Sequence, residues 1–346
     1  MVEKLPHPTS QADPARARAD FITVKQTRCA DPAWHFKIGV HKSSKLGPEG
    51  ADQPTPDAPT QSLGLFHRDA PPSDVEVMGV LMPWEIDPQY WLEEALKLES
   101  KDIVSSKSVM MRGGLFGDVV ATWHEGGADY AGRFVASKWG PRIYFLNMRA
   151  SLGDYPKVAD DFFISVMTFQ ALDETFGHLA EKVYTVESKV PLTWKVAVPA
   201  SWLVQPAPEA QKVSSFQAAQ IPIQEQDDDE KLLGKLSFAV VARSAVRVPR
   251  AAATAFLEVL KENEFELEDK DFEEEASRPP FHKSWVLVCG ATRKGRASEV
   301  RCRVMLHERA WVIAGVVGSK REDDAFAWMR NQRVLDVVTS TLVIRP

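Results

Sequence analysis

Three cysteines in 346 residues are too few for a disulfide framework. Cys29, Cys289 and Cys302 are also too scattered for metal-ligand spacing, which fits a reducing compartment and points to no metal and no cofactor. Long apolar runs are missing as well, since none approaches the roughly 20 residues that span a bilayer. The first residues, Met1 to Phe21, contain no apolar core of a secretory signal, so a cytosolic location is expected. Basic excess is absent: 42 Lys and Arg stand against 48 Asp and Glu. A net charge of −6 disfavours nucleic acid, whose phosphates require a basic field, leaving a protein or small molecule as the expected partner.

Catalytic signatures are equally sparse. No Gly-x-Ser-x-Gly elbow occurs, and the cysteines lack the flanks of a nucleophile. Trp123-His124-Glu125-Gly126-Gly127 offers a His-Glu pair without the second His that a helical zinc site requires. Gly113-Gly114-Leu115-Phe116-Gly117 lacks the Lys-Ser or Lys-Thr of a phosphate loop and reads as a hairpin. Asp227-Asp228-Asp229-Glu230 lacks the alternating ligands of a calcium loop, and it and the run Asp269 to Glu275 read as solvated acid. A non-enzymatic protein is expected.

What is present is a pattern that recurs at an offset of about 160 residues. Trp34 to Ile38 matches Trp194 to Val198, each a Trp opening an apolar strand. Val75 to Leu81 ahead of Pro88 matches Leu236 to Ala242 ahead of Pro249. Arg142 to Leu146 aligns with Arg309 to Ile313, and the apolar helix around Phe162 and Val166 with the one around Trp328 and Leu335. Length alone favours two cores over one.

The expected organisation is a disordered arm over residues 1–20, a first domain over 21–172 with a mobile Pro-rich loop at 41–73, a linker at 173–183 and a second domain over 184–346. Asp87-Pro88 supplies a cap and a first-turn proline for a helix to about Ser100, with Trp91, Leu92, Ala95, Leu96 and Leu98 as its buried stripe. A meander follows between Lys107 and Met148, then a helix from about Pro156 to Thr168. In the second half, Trp285 to Cys289 and Trp311 to Val317 are apolar on both faces, so these strands are expected to be covered on both sides. A turn centred on Lys294 to Ala297 would set Cys289 opposite Cys302 and Trp285 opposite Leu306.

A strand with Trp or Pro near its start, a long connection, a strand, a Pro-led helix, a meander and a closing helix resembles the PsbP and Mog type of α/β/α sandwich, especially its DcrB-like branch. The residues carrying the resemblance are Pro191 to Trp202, Phe238 to Val241, Pro249 to Leu260, Arg309 to Val317 and Asp323 to Leu342. In the first half, Gly39-Val40-His41-Lys42 replaces the Val-Pro-Ala-Ser-Trp turn. The fold class implied is α+β, with two tandem domains, each an antiparallel sheet packed with helices. The resemblance implies binding in place of chemistry, since the family includes GTPase binders, photosystem subunits and chaperones or adaptors of type VI secretion effectors. A protein client is therefore expected, on an apolar surface of the first sheet formed by Phe134, Trp139, Tyr144, Leu146 and Met148. The rival expectations are that a sister domain covers these residues, that the chain is an assembly scaffold, or that it is a hydrolase or lipid binder using an interdomain cleft.

Overall fold

The computed structural model describes residue 5 and residues 13–47, 53–111, 114–173, 179–206, 212–222 and 232–345. The chain divides into two compact units, residues 1–180 and 181–346. Both are built mostly of antiparallel sheet, with five helices in all among the described residues.

Unit 1 runs α1 (Pro14–Asp20), β1 (Phe21–Gln26), β2 (Phe36–His41), β3 (Lys45–Leu46), β4 (Thr60–Asp69), β5 (Pro72–Leu81) and α2 (Pro88–Leu98). It continues with β6 (Asp102–Met111), β7 (Gly114–Glu125), β8 (Ala128–Trp139), β9 (Arg142–Ser151), α3 (Tyr155–Thr168) and β10 (Gln170–Ala171). Seven strands form one sheet in the order β3-β4-β5-β9-β8-β7-β6, and β1-β2-β10 form a small second sheet.

Unit 2 runs β11 (Val183–Ser188), β12 (Thr193–Pro199), β13 (Trp202–Pro206), β14 (Val213–Gln220), β15 (Gly234–Ala242) and α4 (Pro249–Glu262). After it come β16 (Glu266–Leu267), β17 (Glu273–Glu275), β18 (Lys283–Arg293), β19 (Arg296–Leu306), β20 (Ala310–Gly318), α5 (Ala325–Ser340) and β21 (Val343–Arg345). The large sheet has the order β13-β14-β15-β20-β19-β18-β16, with β17 also paired to β18, and β11-β12-β21 form the small sheet. Strand for strand this is the order of unit 1.

Local chemistry explains the elements. Asp87 accepts from the Gln89 amide at 2.7 Å and Pro88 fills the first turn of α2, as expected from Asp87-Pro88. Leu92 and Leu96 are buried, whereas Leu98 is 87% exposed because, two residues on from Leu96, it lies about 200° around the helix on the opposite face. The tight hairpins β7–β8 and β18–β19 turn on Gly126-Gly127 (φ 58° and 82°) and Lys294-Gly295 (φ 50° and 76°), left-handed values that match the twist of the flanking strands.

Each large sheet of the two units is covered on both faces. In unit 1, α3 and β2 bury Val77, Val120, Val135 and Leu146, while α2 places Trp91 edge-on to Phe145 at 5.8 Å on the opposite face. In unit 2, α5 covers Val312, Ala314 and Val316, and α4 covers Trp311, Ile313 and Val317. All nine residues of β20 are buried, which is why its sequence lacks alternation.

Four expectations are corrected. Of the segment 1–20 read as a disordered arm, Pro14–Asp20 form α1, capped by Asp13 and tied to α3 by Arg16, and residues 1–4 and 6–12 lie outside the described residues. The Pro-rich segment 41–73 carries β3 and the ten-residue β4, because its prolines sit outside those strands; its residues 48–52 lie outside the described residues. Leu287, and not Cys289, lies opposite Cys302, and Trp285 lies opposite Val304, since the turn uses two residues at 294–295. Finally, Leu81 pairs with Arg142 and Ala242 with Ala310, so Arg142 corresponds to Ala310, one residue beyond the alignment read from sequence. One residue inverts the faces: Tyr144 belongs to the α3 side and Trp311 to the α4 side.

Candidate protein-binding edge

The five residues expected to form an apolar binding surface are divided between the two faces of the first sheet. Phe134 lies on the α2 side, stacked on Phe145 with ring centres 6.2 Å apart. Tyr144, Leu146 and Met148 lie on the α3 side, each no more than 1% exposed. The Tyr144 hydroxyl donates to the Ala33 carbonyl at 2.7 Å, and burial pushes its pKa far above the usual phenol range. Trp139 is half-buried against the same core and donates from Nε1 to Ser137 Oγ at 2.6 Å. The expected apolar surface is therefore core. Its cover comes from within unit 1, because Phe36 and Ile38 of β2 and Val158 and Phe162 of α3 join the same cluster. A second, sheet-built cover beside one helix has no local signal in sequence.

Other candidates resolve as structural or exposed groups. His124 sits at the tip of the β7–β8 hairpin, 2.9 Å from Asp129, and no group of three His, Cys, Asp or Glu gathers among the described residues. Gly113 and the acidic run 227–230 lie outside the described residues. All three thiols are buried, and burial raises the pKa values of Cys289 and Cys302, which keeps both protonated.

What the sequence reading missed is the free edge at β6. This strand is ten residues long and, among the described residues, pairs with β7 and with no other strand. Ser106, Lys107 and Ser108 are exposed along it, and Val104, Ser105 and Val109 are half-buried. A bulge falls between Ile103 and Ser105, near its start, and the rest of the ladder is regular. Its row of outward amides and carbonyls is a template for another strand.

Polar groups tie β6 to its neighbours on both faces. On the α2 side, Ser106 bonds to Gln89 and Glu93, and Gln89 Oε1 accepts from the Asp118 amide at 3.0 Å. On the α3 side, Asp118 receives Arg133 through Nε at 3.0 Å and Nη2 at 2.7 Å, with Lys107 Nζ at 3.7 Å. Beside the start of the strand, Trp123 stacks on Tyr130 at 5.6 Å, and Lys101 Nζ stands 5.3 Å from the Trp123 ring. Trp123 and Tyr130 are both half-exposed, a pairing of residue types that anchors protein interfaces.

The same edge of unit 2 is built differently. There β18 is covered by two short pieces, β16 and β17, the latter being Glu273-Glu274-Glu275. Glu268 between them accepts from the Gly290 amide at 2.9 Å, which occupies an edge donor. Short, interrupted and acidic edges resist strand addition, whereas β6 runs for ten residues with one bulge and one acid, Asp102, confined to its start, and Lys107 as the charge along the rest.

No family model matches the sequence, and no curated protein matches it. Among solved structures, the chain is similar to cyanobacterial PsbP from Synechocystis sp. PCC 6803, at 8% identity and a TM-score of 0.34 over 44% of this chain and 93% of that one. The Ran-binding protein Mog1p of Saccharomyces cerevisiae aligns at 10% identity and a TM-score of 0.30, over 47% of this chain and 96% of its own. The T6SS immunity protein TplEi of Pseudomonas aeruginosa aligns at 9% identity and a TM-score of 0.25, over 94% of this chain and 97% of that one.

Proposed function

We propose that this chain is a non-enzymatic, cytosolic protein-binding protein, a chaperone or adaptor that takes an extended segment of its client as an added strand on β6. The observation that carries this reading is the contrast between the two units. One fold ends its sheet in a ten-residue edge strand in unit 1, and the same fold fills that edge position with the short pieces β16 and β17 in unit 2. Main-chain bonds to β6 would supply affinity, with Trp123 and Tyr130 as side-chain anchors at one end. A secreted effector is the client class that the family resemblance implies. The matching strand orders, with Trp34 and Trp194 both buried beside their small sheets, further support descent of the units from one duplicated α/β/α sandwich.

A photo-crosslinking residue at exposed Ser108 tests the reading, with Glu274 of β17 as the matched position in unit 2. A protein adduct from Ser108 and none from Glu274 is expected, and the identified client should then slow amide exchange across 102–111. Adducts from Glu274 alone, or a client that leaves exchange in 102–111 unchanged, would refute it.

A further inference from the structure

A second site lies in unit 2, beneath the C-terminal end of α4. A cavity of about 40 Å³ opens there between the helix and the sheet, lined by Lys235, Ser237, Asn263, Phe265, Arg293 and Val317 among others. One water takes roughly 10–15 Å³ of such space, so the volume admits a group of a few heavy atoms. Two of the lining residues are cations, and no lining residue is Asp or Glu. Neither Lys235 nor Arg293 enters an ion pair among the described residues. Arg293 is half-buried with its guanidinium 5.4 Å from the Phe265 ring, and its Nε is buried without a hydrogen-bond partner. By contrast, buried Arg133 is paired with Asp118, half-buried Arg303 with Asp336 at 2.5 Å, and buried Arg330 donates to Gln220 Oε1 and to the Ser201 and Ile221 carbonyls.

The helix end does not account for the cations. Its Leu260 carbonyl already accepts from the Phe265 amide at 3.0 Å and from the Asn263 amide at 3.1 Å. The Val259 carbonyl accepts from Asn263 Nδ2 at 2.7 Å. Glu264, at φ 65°, makes the left-handed turn that closes this cap. Two cations, a hydroxyl and an amide thus line a small space that has an aromatic wall and no acidic residue in its lining. We infer that the cavity under α4 binds a small tetrahedral oxyanion, a phosphate group, held between Lys235 and Arg293 with Ser237 donating. Four oxygens arranged tetrahedrally can meet donors from every side of the space, whereas the acceptor sites of a carboxylate lie in one plane.

The test is thermal unfolding of the full chain in 10 mM inorganic phosphate against sodium chloride of equal ionic strength. A site of millimolar affinity should raise the midpoint of unit 2 by about 3–6 °C. Lys235→Gln with Arg293→Gln should remove that rise while leaving the midpoint in chloride within about 2 °C, because neither side chain has an ion pair to lose. Arg309→Gln, an exposed change elsewhere, should keep it. Phosphate titrated by calorimetry should show one site in the parent chain and none in the double variant. Equal midpoint shifts in parent and double variant would overturn the inference. So would a larger shift with acetate than with phosphate.

Discussion

Replacing Asp118 by valine is expected to destabilise unit 1 by about 3–5 kcal/mol, the cost of leaving a buried cation without its partner. The side chains of Arg133 and Asp118 are 3% and 6% exposed and joined by two hydrogen bonds of 3.0 and 2.7 Å. Arg133 cannot swing to water, since its guanidinium lies 5.4 Å from the Phe163 ring under α3. At roughly 2–4 °C per kcal/mol for a unit of this size, the midpoint should fall by about 6–20 °C in calorimetry. Asp118→Val with Arg133→Met should recover most of the loss, because a shape-matched apolar pair removes both charges together. Lys107 is 43% exposed at 3.7 Å, so Lys107→Met should change stability by under about 0.5 kcal/mol. A single variant that costs less than about 1 kcal/mol, or a double variant no better than the single, would refute the view that this pair is a desolvated unit.

Gly117→Ala should cost about 1–3 kcal/mol and loosen α2, because its Cβ would stand 2.7 Å from Gln89 Cα and 2.9 Å from the Pro88 carbonyl; calorimetry and amide exchange in 88–98 check this. Asp161→Asn should speed tryptic cleavage at Arg16 and Arg18, because Asp161 holds Arg16 at 2.5 Å and α1 buries no residue of its own. Alkaline unfolding provides a pH test. Burial pushes Tyr155 up to about 12, so the folded unit keeps a proton that the unfolded chain releases near 10. That contribution is fully present below about pH 10 and is lost as pH rises towards 12, and Tyr155→Phe should flatten the slope in this window.

Much of the architecture is legible along the chain because it depends on neighbours in sequence. Asp87-Pro88 starts α2, Gly126-Gly127 turns a hairpin, and the unbroken apolar run in β20 announces cover on both faces. The recurrence of Trp, Pro-led helix and closing helix foretells that both units share one strand order. Register escaped this reading wherever a strand is apolar throughout. Arg142 to Leu146 and Arg309 to Ile313 look alike in either frame, and only the ladders from Leu81 to Arg142 and from Ala242 to Ala310 decide which side chains meet which helix. Tyr144, Leu146 and Met148 were legible as apolar area but not as buried, since their cover includes β2, more than 100 residues away in the chain and brought there by tertiary contact. The free edge of β6 was decided in the same way. Composition cannot tell an edge from a centre, because a strand becomes an edge only through the absence of a neighbour on one side, and neighbours are assigned by the fold.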